Sequence, residues 1–182
     1  LSEYVMVMGE ELSIRDRIRI MLKVFDAIHF GHQLGIMHRD LKPGNIMINN
    51  QSEPIVVDFG LVEDNAALSS TIDSEEVLGT PHYMAPELLS GRSRKLGPGT
   101  DVFALGVVLY ELLCGELPFN GKSTEEILKS VLKDTPAAPC SLNDQLDPEI
   151  EAVLMKSLEK DPAKRYGNVF DFRKDLQRYL DN

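Results

Sequence analysis

The sequence predicts a mainly α-helical fold of the α+β class, with a helical bundle and one short β-hairpin. Three observations support this fold class. Apolar residues recur at helical spacing near the start of the chain, a nearly unbroken apolar run extends from Val102 to Cys114, and two short apolar runs are joined by a turn-rich segment. The 182 residues are 43% hydrophobic, which is sufficient for one buried core. We therefore expect a single compact unit.

The first predicted element is a long amphipathic helix. Ser13 and Asp16 have the spacing of a capping box, and Gly35 is a typical helix-ending residue. Between them the apolar positions follow a three- and four-residue spacing: Ile14, Ile18, Met21, Leu22, Phe25 and Ile28. This helix leads directly into the loop "IMHRDLKPGN".

A two-stranded hairpin is predicted after this loop. The apolar runs "NIMI" and "PIVV" are separated by "NNQSE", whose residues favour a turn. The second run is followed directly by Asp58, Phe59 and Gly60. The hairpin therefore brings Asp58 back towards the loop that precedes it.

The second half of the chain predicts further helices. The run from Val102 to Cys114 contains Glu111 and is shorter than the roughly 20 residues that span a bilayer, which indicates a buried core helix. Ser123 with Glu126 predicts the start of another helix. Asp147 with Pro148 predicts a third, with its end near Asp161 and Pro162. The last helix should follow Asn168, with four expected core contacts: Phe170, Leu176, Tyr179 and Leu180.

Composition excludes several classes of function. The net charge of -10, from 29 acidic and 19 basic residues, argues against a nucleic-acid partner. Cys114 and Cys140 show neither disulfide nor zinc spacing, so a reducing cytoplasm is the expected location. The start of the chain has no basic segment or cleavage site of a signal peptide, and we expect no membrane segment in these residues.

The loop and the hairpin carry the residues for phosphoryl transfer. Asp40 can orient a hydroxyl nucleophile and accept its proton. Lys42 can neutralise charge on a transferred phosphoryl group. Asn45 and Asp58 supply hard oxygen ligands, which suit Mg²⁺ on nucleotide phosphates better than a soft metal.

Three motifs in order resemble the large, C-terminal lobe of a eukaryotic-type protein kinase: "HRDLKPGN" at 38–45, "DFG" at 58–60 and "APE" at 85–87. Lys42 together with Thr80 is the pattern of serine/threonine kinases, and the sequence is most similar to bacterial members. The resemblance covers residues 1–182 and implies a kinase-like C-terminal lobe with ATP and Mg²⁺ as cofactors and Ser/Thr-containing proteins as substrates.

The resemblance also implies a role for each site residue. Asp40 would be the catalytic base and Lys42 the phosphate-contacting cation, with Thr80 bonded to both. Asn45 and Asp58 would be the magnesium ligands, and Met47 would lie under the adenine ring.

Other implied roles are structural. Glu87 would pair with Arg165, although either could be an ordinary solvated charge. Asp101 would hold the backbone around His38. His29 and His32 are three residues apart on the first helix, and without a third ligand we expect them to be surface or groove residues instead of metal ligands.

Parts of a complete kinase are missing from these residues. There is no G-x-G-x-x-G sequence, and the 37 residues before His38 indicate a helix instead of a small lobe and hinge. Two hypotheses remain open. The chain is the large lobe of a serine/threonine kinase, inactive alone, or it is a noncatalytic binding or scaffold module that lacks the small lobe.

Overall fold

The computed structural model describes residues 1, 12–59, 81–89 and 97–182. Most of these residues are helical, and the strands form one small antiparallel sheet. The predicted mainly helical fold with one hairpin is therefore confirmed. The elements in chain order are α1 Ile14–Gln33, β1 Ile46–Ile48, β2 Pro54–Val56, α2 Pro86–Leu89, α3 Pro98–Cys114, α4 Thr124–Lys133, α5 Pro139–Leu142, α6 Pro148–Ser157 and α7 Val169–Asp181.

Helix α1 begins where the sequence predicts. The Ser13 hydroxyl accepts a hydrogen bond from the Asp16 backbone N–H at 3.1 Å and satisfies one of the free N–H groups of the first turn. The chain leaves the helix at Gly35, whose φ of 78° is a left-handed conformation that glycine adopts at little cost. The cap and this glycine together place the next loop at the end of α1.

Helix α3 lies at the centre of the core. Nearly all of its residues are buried, as its apolar run predicts, and α1, α5, α6 and α7 all pack against it. The close approach of α6 depends on Gly106, where a Cβ atom would lie 2.2 Å from the Ser157 hydroxyl oxygen. Helix α7 also packs along α1, where the Phe25 and Phe172 rings meet edge to face at 4.7 Å.

The hairpin has the predicted strands and a simple register. Ile46 lies opposite Val56, and Met47 lies opposite Ile55. The pairing continues past β2, because the Val57 N–H donates to the Asn45 carbonyl at 3.0 Å. Asn45 and the residues that follow Val57 are thus held at the same end of the hairpin.

Two predictions about the last helices are wrong. Helix α6 ends at Ser157, before the predicted stop near Asp161 and Pro162, which belongs to a separate short 3-10 turn. Phe170 is 45% exposed instead of buried, and Phe172 takes the core position. Successive helical residues are about 100° apart, so residues 170 and 172 cannot both face α1 and α3.

Lys160 follows α6 and has its ammonium group near apolar surroundings. Its Nζ donates to the Val131 carbonyl at 2.6 Å and lies 3.4 Å from the centre of the Phe119 ring. The pKa of Lys160 is lowered to about 7 from 10.5, mainly by burial; the negative charge of Asp134 opposes this shift, and the positive charge of Arg165 adds to it. The folded state therefore releases a proton that the unfolded chain still holds between about pH 7 and 10.5.

We expect the free energy of unfolding to rise with pH from 7 to 8.5, because the unfolded state binds more protons in this window. Lys160→Met should flatten this rise, whereas Lys164→Met, at an exposed lysine, should preserve it. Urea unfolding at a series of pH values measures the slope. The upper limit of pH 8.5 keeps clear of Cys114, whose burial raises its pKa to about 12 from 9.0 and lowers stability at higher pH. An equal slope in the wild type and in Lys160→Met would contradict the assignment.

Among the described residues, no helix has the length and apolar character needed to span a membrane.

Candidate active site

The loop between α1 and β1 is held in place by one buried carboxylate, that of Asp101 in α3. Its Oδ1 accepts the Arg39 backbone N–H at 2.8 Å, and its Oδ2 accepts the His38 backbone N–H at 2.9 Å. These bonds hold Arg39 at a φ of 65°, a left-handed conformation that is unfavourable for a residue with a Cβ. The predicted role of Asp101 in holding this backbone agrees with the geometry.

His38 joins the loop to the hairpin. Its Nε2 lies 2.9 Å from the Val57 carbonyl, to which it donates, and its Nδ1 accepts the Asp40 N–H at 3.4 Å. This pattern corresponds to the neutral ring with the proton on Nε2. The His38 ring also lies 4.9 Å from the Phe59 ring, so His38 has a structural role that links the loop to the end of the hairpin.

Asp40 has one oxygen engaged and one oxygen available. Lys42 Nζ donates to Oδ2 at 2.8 Å, and Asn45 Nδ2 lies 3.1 Å from the same oxygen. Asn45 Nδ2 also donates to the Asp40 carbonyl at 2.8 Å, which fixes the loop. No hydrogen bond to Oδ1 comes from the described part of the chain, so this oxygen is open to a substrate hydroxyl.

Asn45 and Asp58 offer oxygen atoms suitable for a magnesium ion. The Asn45 amide nitrogen is used by Asp40, and within the described ranges its Oδ1 has no hydrogen-bond partner. Asp58 is exposed, has a φ of 62°, and its carboxylate likewise has no partner among the described residues. Two hard oxygen donors with free valences fit Mg²⁺, which usually keeps waters and takes its other ligands from phosphates.

Met47 lies on the open face of the hairpin. Its side chain is 58% exposed, and its cross-strand partner Ile55 is exposed as well. An apolar side chain at this place can contact a flat ring, as the sequence predicts for adenine. It is also part of an uncovered apolar surface.

Thr80 lies outside the described residues, as do Gly60 and the polar residues between them. The structure thus brings together Asp40, Lys42 and Asn45, and the hairpin register places Asp58 at the same end. Thr80 remains an expectation from the sequence.

The sequence prediction for His32 is wrong, because this residue is neither on the surface nor in a groove. Its side chain is 7% exposed and its Nε2 lies 2.7 Å from Asp101 Oδ2. The signal was present in the sequence: residue 32 is four positions after Ile28 and continues the buried face of α1. His32 is therefore a third hydrogen-bond partner of the Asp101 carboxylate, beside the two backbone N–H groups. The His29 ring stacks on Phe170, with the ring centres 5.2 Å apart.

Glu87 and Arg165 form the predicted pair, and the alternative of solvated charges is wrong. Arg165 Nη1 and Nη2 donate to the two Glu87 oxygens at 2.8 and 2.9 Å, with side-chain exposures of 0% for Arg165 and 4% for Glu87. The remaining donors bond to the carbonyls of Gly99, Lys160 and Glu159. All five guanidinium N–H groups are thereby satisfied.

Comparisons with known proteins agree with this geometry. The family model described as "Protein kinase domain" matches residues 3–176. The chain is 37% identical over 165 residues to the serine/threonine-protein kinase PknB of Mycolicibacterium smegmatis, covering 90% of this chain and 26% of that protein. It is 37% identical over 184 residues to the serine/threonine-protein kinase PrkC of Bacillus subtilis, covering 100% of this chain and 27% of that protein. The chain thus spans about a quarter of the length of the curated relatives it matches.

Proposed function

This chain belongs to the protein kinase family, and we propose that the protein of which it is part transfers the γ-phosphate of ATP to serine and threonine hydroxyls of other proteins. Within that protein we propose that residues 1–182 form the C-terminal lobe of the catalytic domain, with a small lobe supplied by other residues. The relatives named above are serine/threonine kinases, which supports the proposed class of reaction.

One observation carries this proposal: among the described residues, Asp40 has one oxygen without a hydrogen-bond partner while its other oxygen is held by two donors. The bonds from Lys42 and Asn45 fix the orientation of the carboxylate, and Oδ1 remains able to accept a proton. A positioned base of this kind orients the substrate hydroxyl and removes its proton during transfer. A scaffold module would have no need for this arrangement.

The other site residues act on the nucleotide. A bound Mg²⁺ would supply positive charge against the charge that develops on the phosphates during transfer. Asn45 and Asp58 would hold the ion through their side-chain oxygens, and Lys42 would contact the transferred phosphoryl group. Met47 would support the adenine ring, and Thr80 would bond to Asp40 and Lys42.

We further propose that this part of the protein works in a reducing, cytoplasmic compartment. Cys114 and Cys140 are both free thiols, which fits a reducing environment.

The proposal is tested by comparing the 182-residue chain with the full-length protein. We expect the short chain to bind Mg²⁺-ATP poorly and to transfer no phosphate at a useful rate, because it has neither a V-A-I-K lysine nor a glycine-rich loop to position the phosphates. The full-length protein should do both. Calorimetry measures nucleotide binding, and a radiolabelled-phosphate assay on a Ser/Thr protein substrate measures transfer.

Two outcomes would contradict the proposal. Micromolar ATP affinity with robust transfer by the short chain would show that no small lobe is needed. Absence of transfer by the full-length protein, with or without a protein substrate, would favour the noncatalytic module. Circular dichroism on the short chain is the control that distinguishes a missing lobe from an unfolded protein. This control is needed because the exposed apolar hairpin face around Met47 promotes association or misfolding.

A further inference from the structure

Gly31 is a buried glycine inside helix α1, directly beneath the Phe59 ring. A Cβ atom at this position would lie 2.8 Å from Phe59 Cε1 and 3.4 Å from the Ile36 carbonyl oxygen. Non-bonded carbon atoms are normally about 3.5–4.0 Å apart, so a methyl group does not fit while the ring occupies its place. Glycine also weakens a helix interior relative to alanine, which makes the space for Phe59 the physical reason for this residue.

The Phe59 ring is held from a second side as well. The His38 ring lies 4.9 Å away and is tilted by 53°, and His38 is itself tied to the Val57 carbonyl. The half-buried Phe59 ring therefore lies between Gly31 and His38. Phe59 is covalently joined to Asp58, which has the left-handed φ of 62°. Movement of the ring is thus transmitted to the backbone that directs the Asp58 carboxylate.

We propose that Gly31 is a positioning residue for Asp58, acting through the space that it leaves for the Phe59 ring. The inference rests on the proposed role of Asp58 as a magnesium ligand. Any side chain at residue 31 displaces the ring and turns Asp58 away from Asn45. The helix itself tolerates the change, because alanine is the better helix former.

The first test reads the ring directly and does not depend on kinase activity. NMR on the full-length protein with selectively labelled Phe and Asp follows the Phe59 ring and the Asp58 amide, with Phe59→Leu used for assignment. Gly31→Ala should shift both signals. Gly99→Ala, at a helical glycine with open space around it, should shift neither. Unchanged Phe59 and Asp58 signals in Gly31→Ala would overturn the inference, whatever the activity of the protein.

The second test reads the consequence for the magnesium ion. Substitution of a residue that orients a metal ligand typically lowers metal affinity or activity by about 10–100-fold. Gly31→Ala should therefore raise the Mg²⁺ concentration needed for half-maximal transfer by about that factor. The midpoint temperature of thermal unfolding should not be lower in this variant than in the wild type. Gly99→Ala should keep the wild-type Mg²⁺ requirement.

The double variant separates positioning from general damage. Leucine at residue 59 has no ring atom at the Cε1 position. Adding Gly31→Ala to Phe59→Leu should therefore raise the Mg²⁺ requirement much less than adding it to the wild type does. An equal rise in the Mg²⁺ requirement in both backgrounds would overturn the inference. If the wild type transfers no phosphate, the proposed function fails, and the NMR shifts alone decide whether Gly31 seats Phe59 and directs Asp58.

Discussion

Asp40→Asn in the full-length protein is expected to slow phosphoryl transfer by about 10²–10⁴-fold, the usual contribution of a positioned general base. The asparagine side chain keeps the shape of aspartate and can still bond to Lys42 or Asn45, so the loop should keep its conformation. It cannot accept a proton from the substrate hydroxyl. Nucleotide binding should therefore remain nearly unchanged while the rate of transfer falls.

Single-turnover transfer of labelled phosphate measures the rate, and calorimetry with Mg²⁺-ATP measures binding. The matched control is Asp26→Asn, which removes an exposed carboxylate that pairs with Arg173 on the outer side of α1. This control should transfer phosphate at the wild-type rate. Undiminished transfer by Asp40→Asn would remove Asp40 from the mechanism and leave the proposed function without its base.

Arg165→Met is expected to cause a large loss of stability. It leaves the Glu87 carboxylate buried without its ion pair and removes the arginine donor from three backbone carbonyls. Removing one partner of a buried ion pair costs about 3–5 kcal/mol. Small domains are stable by only about 5–15 kcal/mol, so the variant should unfold at much lower urea concentration.

Urea unfolding of the wild type and the variant measures this difference. Arg19→Met is the matched control, because it breaks the exposed Arg19–Asp16 pair, and such a pair contributes about 0–1 kcal/mol. The double variant Glu87→Leu with Arg165→Met should lose less than Arg165→Met alone, because no charge is then left unpaired. A loss in Arg165→Met no larger than that in Arg19→Met would show that the buried pair is not important for stability.

Local features of the fold could be predicted from the sequence because they depend on residues within one helical turn. The Ser13 cap of α1 and the Ser123 cap of α4 each join a hydroxyl to a backbone N–H three residues later. The burial of α3 follows from an apolar run that leaves no polar face. The cluster of Asp40, Lys42 and Asn45 was likewise predictable, since one short loop carries all three.

Features that join distant parts of the chain were harder to predict from the sequence. The register of α7 against the core chose Phe172 over Phe170, although both are apolar and the sequence alone favoured the wrong one. The end of α6 at Ser157 was also missed, because Asp161 and Pro162 can end a helix or cap the following turn. The first outcome depends on which face of α7 meets its neighbouring helices, and the second on which element Asp161 caps.

By itself, the sequence determined the class of fold, the loop chemistry and the places where helices begin, because caps, turns and apolar periodicity act over a few residues. Only the tertiary structure decided that His32 supports Asp101, 69 residues away, and that Gly31 lies against Phe59. It also decided that Glu87 and Arg165, 78 residues apart, are a dry pair with every guanidinium donor satisfied. The physical reason is that burial and long-range hydrogen bonds depend on how whole elements pack, and no local pattern carries that information.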